Sequence, residues 1–107
     1  MPILSNEKQA LNDLKDRLLR KYGILDFRVF GSKAKGTDVE DSDLDVMIIL
    51  EEHSARVESE IDDLIFDINL EYDCFITALY FGQKELEMGP LAESPIYKKI
   101  LQEGISL

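Results

Sequence analysis

Apolar side chains recur at the spacing of an α-helix in two long segments of the chain. Residues 5–22 and residues 54–70 both carry hydrophobic side chains three and four positions apart, which line one face at 3.6 residues per turn. In the first segment the repeating positions are Leu11, Leu14, Leu18 and Tyr22. We expect this first helix to begin at Asn6, with Gln9 completing a capping box, and to stop at Gly23 in a left-handed conformation.

Three shorter segments are rich in β-branched and aromatic residues and predict strands. They cover residues Ile24–Phe30, 43–50 and 74–81. The second and third strands are apolar on both faces, as expected for strands covered on both sides of a sheet. A short helix is predicted over Gln83–Met88, and Ser94 followed by Pro95 predicts a last helix that ends before Gly104.

This order of elements favours an α/β (α+β) fold in which helices flank a small mixed sheet. At 107 residues the chain has the size of one domain, and we predict a single domain over residues 1–107. A chain of this length buries roughly two-thirds of its unfolded surface, so it can fold without disulfides. The one cysteine, Cys74, lies in an apolar run and is expected to be a buried thiol.

The balance of charge narrows the possible partners. There are 22 acidic residues against 12 basic ones, and the net charge is −10. Because nucleic-acid binding depends on neutralising phosphates with Lys and Arg, we expect no direct binding of DNA or RNA. A basic protein partner fits the charge better. The sequence shows no signal-peptide pattern and no apolar run near the roughly 20 residues of a membrane helix, so a cytoplasmic location without membrane contact is expected.

Polar residues just after the second predicted strand are interpreted as surface features. His53 is expected to be an exposed loop residue. The acidic residues of the following helix are interpreted as its solvated face: Glu58, Glu60, Asp62, Asp63 and Asp67.

Candidate metal ligands open the second predicted strand. Asp43 and Asp45 lie two residues apart, so in a strand their carboxylates point to the same face. Adjacent carboxylates repel each other, and a bound divalent cation relieves that repulsion. Magnesium takes oxygen ligands, usually one or two carboxylates together with substrate phosphates. Taken alone, such a pair is also typical of a solvated turn.

A candidate phosphate site follows the first predicted strand. Gly31 allows a ligand to approach the backbone closely, and N–H groups at the start of a helical turn bind anions. Ser32 adds a hydroxyl donor, and Lys33 and Lys35 add positive charge to a very acidic chain. Together with the carboxylate pair, this turn predicts a site for a nucleoside triphosphate and its magnesium.

The two motifs together resemble a known family. Gly31 and Ser32, ten intervening residues, and then Asp43-Leu44-Asp45 resemble the Gly-Ser and Asp-x-Asp motif of the DNA polymerase β-like nucleotidyltransferase superfamily. On so short a chain, the sequence is similar to the bacterial and archaeal minimal nucleotidyltransferases. The similarity extends over nearly the whole chain, including the segment from Ser94 to Gly104.

The resemblance implies a reaction and a set of roles. Nucleoside monophosphate would pass from a triphosphate, with ATP expected, to a hydroxyl acceptor, and pyrophosphate would leave. Ser32 would hold the triphosphate with Gly31, while Lys33 and Lys35 would neutralise it where relatives commonly carry arginine. Asp43 and Asp45 would bind the Mg²⁺ ions of a two-metal site.

The sequence departs from the family at a third carboxylate on the next strand. Phe75 is counted to stand where that acid belongs, and Asp73 lies on the same face one pleat earlier, so it is either a third catalytic acid or a solvated strand start. Two functions therefore stay open. The chain is either a nucleotidyltransferase acting on a protein or small-molecule hydroxyl, with a partner protein expected, or a catalytically weak nucleotide-binding module. An antitoxin that masks a HEPN-domain ribonuclease toxin would be such a module. The acceptor, the nucleotide and the oligomeric state, including a homo-oligomer, are not fixed by the sequence.

Overall fold

A computed structural model describes residues 3–31 and 43–106 of the chain. Four α-helices lie in these two ranges: α1 (Ser5–Lys21), α2 (Ala55–Tyr72), α3 (Gln83–Met88) and α4 (Pro95–Glu103), with a 3₁₀ turn at Pro90–Glu93. The strands of the same ranges are β1 (Ile24–Phe30), β2 (Leu44–Leu50), β3 (Ile76–Gly82) and β4 (Ile105–Ser106). The 3₁₀ turn and β4 were not predicted from the pattern of apolar residues, which such short elements scarcely carry.

The strands form one mixed sheet in the order β3-β2-β1-β4. β1 runs antiparallel to both β2 and β4, whereas β2 and β3 run parallel and are joined by α2. The predicted arrangement, a small mixed sheet flanked by helices, is confirmed. Because of these directions, the end of β1 and the beginnings of β2 and β3 meet at the same edge of the sheet, which is where the candidate site lies.

One face of the sheet packs against the two long helices. Leu14 and Leu18 of α1 and Ile61 and Ile68 of α2 are fully buried against this face, in the same cluster as Val46. Burying such a side chain contributes roughly 1.5–3 kcal/mol, so the apolar repeats that predict these helices also supply much of the driving force for folding.

The opposite face packs against the C-terminal part of the chain. Met47 and Ile49 of β2 and Phe81 of β3 are buried with Ile100 of α4, and the Tyr97 ring lies edge-on to Phe81 at 5.4 Å. Because β2 is covered on both faces, every residue of it except Asp45 is buried.

The ends of α1 differ from the sequence prediction. Leu4 is the N-cap, and its N–H donates to Oε1 of Glu7 at 2.8 Å. Asn6 lies inside the helix, where its side-chain amide donates instead to the carbonyl oxygen of Tyr72 at 2.8 Å. The predicted capping box with Gln9 is therefore wrong, because a tertiary contact to the end of α2 takes the Asn6 side chain.

Gly23 does not adopt the left-handed conformation predicted for it. Helix α1 ends at Tyr22 in an extended conformation, and Gly31 is the one glycine of the described ranges with a positive φ. A β-carbon on Gly23 would lie 2.5 Å from the Glu51 carboxylate, so this glycine makes room for a side chain.

Cys74 is buried, as predicted, and only 5% of it is exposed. Its thiol donates to Oδ1 of Asn69 at 3.4 Å. Burial raises the pKa of this thiol, so it stays neutral and acts as a packing residue. Across the described residues, no helix has the length and apolar character needed to cross a bilayer.

Candidate functional site

The candidate site lies at the edge of the sheet where β1 ends and β2 and β3 begin. Asp45, the second residue of β2, is paired on one side with Phe30, the last residue of β1. On the other side Asp45 is paired with Thr77, the second residue of β3. A carboxylate therefore stands in the middle of this edge, on a strand that is otherwise buried.

Two neighbours fix the carboxylate of Asp45. The hydroxyl of Thr77 donates to its Oδ1 at 2.8 Å. Its Oδ2 lies against Gly31, at which a β-carbon would come within 2.7 Å of that oxygen. Gly31 also has a φ of 80°, a conformation that glycine adopts without strain. The structure thus brings Gly31 and Asp45 together, and the glycine is needed for the approach of the carboxylate as well as for its own conformation.

Asp43 directly precedes β2 and is exposed to solvent. The N–H of the next residue, Leu44, donates to the carbonyl oxygen of Phe75 at 2.7 Å and anchors this end of the strand. Alternation along the extended chain places Asp43 on the Asp45 side of the sheet. Ser32, Lys33 and Lys35 lie outside the described residues, so the predicted phosphate-binding turn stays a prediction.

The expected geometry of Asp73 is wrong. Helix α2 extends two residues further than predicted, and Asp73 is its C-cap, with φ of 54° and ψ of 56°. Its carbonyl oxygen accepts from Asn6 at 3.2 Å, and its side chain is exposed. Asp73 therefore does not begin the strand, and it does not lie one pleat before Phe75 on the same face as predicted. The strand itself begins at Ile76, two residues later than predicted.

Phe75 is also placed differently from the prediction, since 67% of it is exposed rather than buried. β2 and β3 pair so that Thr77 lies beside Asp45. Phe75 comes two residues before Thr77, level with Asp43 and just before the paired residues begin. Thr77 is the functional candidate that the sequence interpretation missed. The available signal was a hydroxyl residue in an otherwise apolar strand, at a position where it shares a face with the two acids.

The donor set at this edge fits one magnesium ion bound together with phosphate. Asp43 and Asp45 supply carboxylate oxygens, which a hard cation prefers, and substrate phosphates and water commonly complete its coordination. Among residues 3–31 and 43–106, no group of three or more His, Cys, Asp or Glu side chains is arranged to hold a metal ion by itself. A second magnesium site built from protein carboxylates alone does not fit these residues.

His53 lies at the opposite edge of the sheet and is not the exposed loop residue that was predicted. Only 19% of its side chain is exposed. Its Nε2 lies 2.8 Å from Oε2 of Glu58, and its Nδ1 contacts Oε1 of Glu85. Burial lowers the pKa of His53, but the hydrogen bonds to these two carboxylates outweigh it and raise the pKa above 6.5. Glu58 is therefore more than part of a solvated helix face, because it bridges α2 to the loop after β2.

One protein family matches nearly the whole chain. The model of the nucleotidyltransferase domain family matches residues 11–105. The chain belongs to the nucleotidyltransferase domain family, and the resemblance inferred from the sequence is confirmed. It is 31% identical over 105 residues, 98% of this chain and 96% of the relative, to the protein adenylyltransferase MntA of Thermococcus cleftensis.

Other similar proteins agree with this family. A putative protein adenylyltransferase of Methanocaldococcus jannaschii is 37% identical over 65 residues, and that match spans 61% of this chain and just under two-thirds, 65%, of the relative. A solved structure described as a putative minimal nucleotidyltransferase superposes with a TM-score of 0.64 at 22% identity, over 94% of this chain and 91% of that one. A toxin–antitoxin structure with AMP-PNP has a TM-score of 0.61 at 14% identity, over 96% and 72% of the two chains. The structural likenesses confirm the fold.

Proposed function

We propose that this chain binds a magnesium–nucleoside triphosphate, with ATP as the nucleotide, and transfers nucleoside monophosphate to a hydroxyl group of a partner protein. The observation that carries the proposal is the carboxylate of Asp45, held between Gly31 and Thr77 at the edge where Asp43 also lies. Relatives named protein adenylyltransferase support a protein as the acceptor.

The roles follow from the types of side chain. Asp43 and Asp45 would hold the metal, which neutralises phosphate charge when bound. Gly31 and Ser32 would accommodate the triphosphate, with Lys33 and Lys35 binding its oxygens. The acceptor hydroxyl attacks the α-phosphorus of the triphosphate and forms a new O–P bond. The bond between the α-phosphorus and the oxygen that bridges it to the β-phosphate breaks, and pyrophosphate leaves. The proton of the acceptor hydroxyl passes to water or to one of the two carboxylates at this edge, Asp43 or Asp45.

A second candidate function is a nucleotide-binding antitoxin with little or no transferase activity, which masks a HEPN-domain ribonuclease by binding it. The observation that favours it is Thr77, because the residue beside Asp45 on the neighbouring strand is a neutral hydroxyl and not a third acid. A structural neighbour with this fold is described as a toxin–antitoxin with AMP-PNP, which supports a toxin–antitoxin role.

Thermal melts test the shared part of both candidates. A ligand that binds only the folded chain stabilises it by about 2.7 kcal/mol at a hundredfold excess over its dissociation constant. ATP with Mg²⁺ should therefore raise the melting temperature of the parent chain, and it should fail to do so for Asp43→Asn/Asp45→Asn. Asp16→Asn/Asp67→Asn, at exposed positions of α1 and α2, removes the same two charges away from the site and is the matched control. An equal shift in the double variant would refute the site.

Transfer separates the two candidates. Labelled ATP is incubated with the chain and with the product of the adjacent gene, and label on either protein is measured. Magnesium-dependent label that Asp45→Asn abolishes supports the transferase. Binding of ATP without label, together with loss of the partner's nuclease activity in the complex, supports the antitoxin.

A further inference from the structure

β3 forms an outer edge of the sheet. Its inner side pairs with β2 over its whole length, from Ile76 to Gly82, and no strand of the described residues lies on its outer side. The other outer strand, β4, has only two residues. β3 is seven residues long, so it offers the longer free edge.

The direction of the backbone groups shows which part of this edge is free. The carbonyl oxygen of Phe75 accepts from β2, whereas the N–H and carbonyl oxygen of Ile76 bond to the side chain of Asn69 at 2.8 and 3.1 Å. Backbone groups alternate in direction along a strand, so those of Ala78, Tyr80 and Gly82 also point outward.

Side chains of the chain itself occupy both ends of the edge. Asn69 satisfies Ile76 at one end, and Oε1 of Glu85 accepts from the N–H of Gly82 at 3.0 Å at the other. Between them, the backbone groups of Ala78 and Tyr80 have no hydrogen-bond partner among the described residues. Two donors and two acceptors therefore stand in the middle of the edge, which is the pattern that an added strand satisfies.

The residues of β3 do little to protect this edge from pairing. Soluble proteins commonly guard an edge strand with lysine, proline or a bulge. β3 contains no charged residue and no proline, and its pairing with β2 is continuous. Ala78, Leu79 and Tyr80 are half-buried, whereas the neighbouring Met47 and Ile48 of β2 are fully buried. The middle of the strand is thus apolar, accessible and regular.

Three carboxylates, Asp62, Glu58 and Glu85, lie near the same edge. The hydroxyl of Tyr80 donates to Oδ1 of Asp62 at 2.6 Å, and Glu85 contacts Gly82. Glu58 pairs with His53, whose ring lies 6.2 Å from that of Tyr80. In the part of the chain that the structure describes, no lysine or arginine forms an ion pair with any of these three carboxylates. His53 pairs with two of the three, Glu58 and Glu85, and when protonated offsets one negative charge, so the charge beside the free backbone groups is negative on balance.

We propose that the outer edge of β3 binds an extended, lysine- or arginine-bearing segment of a partner protein, which adds a strand to the sheet at Ala78 and Tyr80. The free backbone groups of Ala78 and Tyr80 would set the pairing register of the added strand, and the three carboxylates would favour a segment with lysine or arginine. A second copy of this chain would satisfy the same backbone groups, but it would bring two sets of these carboxylates together on chains that each carry a net charge of −10. The proposal does not depend on nucleotide transfer.

Amide exchange and chemical shifts of the whole chain test the proposal directly. In the free chain the amides of Ala78 and Tyr80 should exchange faster than those of Thr77 and Leu79, which face β2. A capped ten-residue peptide of alternating lysine and valine should slow exchange at Ala78 and Tyr80 and shift their resonances. A glutamate–valine peptide of the same length is the control, and it should leave both amides unchanged.

Two kinds of variant decide the outcome. Ala78→Pro removes one outward N–H without touching the pairing with β2, and it should weaken binding of the lysine peptide at least tenfold. If that variant does not fold, Asp62→Asn/Glu58→Gln keeps the shapes and removes two charges, and it should weaken binding at low salt at least threefold, whereas Asp16→Asn should not. Unchanged amides with the lysine peptide, or undiminished binding by both folded variants, would overturn the proposal. So would a stable dimer of the free chain that Ala78→Pro dissociates, because the edge would then serve a second copy.

Discussion

The hydroxyl of Thr77 donates a 2.8 Å hydrogen bond to Oδ1 of Asp45, across the parallel pairing of β2 and β3. This bond holds the carboxylate in place without adding charge beside it. The edge therefore presents two acids, Asp43 and Asp45, with the neutral hydroxyl of Thr77 on the neighbouring strand. That arrangement suits binding of a metal–nucleotide complex better than a complete two-metal site.

Thr77→Asp should add a third carboxylate beside Asp45, the residue with which Thr77 is paired. We expect it to lower the free energy of unfolding by about 1 kcal/mol at low salt, because a second carboxylate then faces Asp45. Mg²⁺ should restore that loss and bind at least several-fold more tightly than to the parent chain, as measured by melts at increasing Mg²⁺. Thr77→Asn has the same shape without the charge and should show no gain in Mg²⁺ affinity.

Phe75→Asp is the companion variant, because the sequence alone predicts the third acid at Phe75. Since Phe75 is 67% exposed, this change should cost little stability, contrary to what a buried position would give. It should raise Mg²⁺ affinity less than Thr77→Asp, because it lies level with Asp43 rather than Asp45. A larger gain from Phe75→Asp would show that the metal sits nearer Asp43 than the pairing register implies.

Gly31→Ala should damage both stability and nucleotide binding. The positive φ of 80° alone costs an alanine about 1–2 kcal/mol, and the new β-carbon would meet Oδ2 of Asp45 at 2.7 Å. The melting temperature should fall, and the ATP–magnesium shift should shrink because the carboxylate is displaced. Gly23→Ala is the matched control, since its β-carbon meets only the flexible end of Glu51 and its φ is not positive. Equal effects of the two substitutions would contradict a specific role for Gly31.

Much of the fold could be predicted because the long elements carry many apolar residues in register. The bounds of β1 and α3 were predicted correctly, and those of α1, β2 and α4 within one residue. The small mixed sheet, the meeting of Gly31 with the Asp45 strand and the family were also within reach of the sequence. Each of these rests on a repeated spacing or on a motif of several residues.

The errors concern ends of elements, where a single contact between distant residues decides. Asn6 has the composition of an N-cap, but a carbonyl of α2 takes its side chain. Asp73 looks like the start of a strand, but the left-handed cap of α2 delays that strand by two residues. The role of Thr77 depends on the register between β2 and β3, which no local pattern encodes. His53 was interpreted as exposed because its two carboxylate partners lie 5 and 32 positions away along the chain.

Asn69→Ala should destabilise the junction between α2 and β3. The side chain of Asn69 satisfies both backbone groups of Ile76, a residue that is only 3% exposed. Leaving buried backbone groups without partners costs about 1–3 kcal/mol, so we expect a loss of about 2 kcal/mol in chemical unfolding. The amide of Ile76 should also exchange faster. Ser59→Ala, at an exposed position of the same helix, should change neither quantity. Protection at Ile76 that survives Asn69→Ala would show that another group covers this end of the edge.

The stability of the chain should depend on pH through His53. Its neighbours are Glu58 on α2, Glu85 on α3 and Tyr80 on β3, and the tyrosine stays neutral because burial and Asp62 raise its pKa far above 10. The two glutamates raise the pKa of His53 above its ordinary 6.5 in the folded chain, against the effect of burial. Folding therefore favours the protonated form. The stabilisation that protonated His53 gives the folded chain is complete below about pH 6.5, and it is lost as the pH rises through the higher pKa that His53 has in the folded state.

The free energy of unfolding of the parent chain should thus fall between about pH 6.5 and the raised pKa, by about 1 kcal/mol as for a partly exposed ion pair. His53→Gln keeps a polar side chain without a titrating group, and it should abolish this slope while lowering stability on the acidic side. Glu85→Gln and Glu58→Gln should each reduce the slope by moving the pKa of His53 back toward its ordinary value. NMR titration of the His53 ring provides an independent measurement of that pKa. A ring pKa at or below 6.5, or a slope that persists in His53→Gln, would show that the two glutamates do not stabilise the protonated ring.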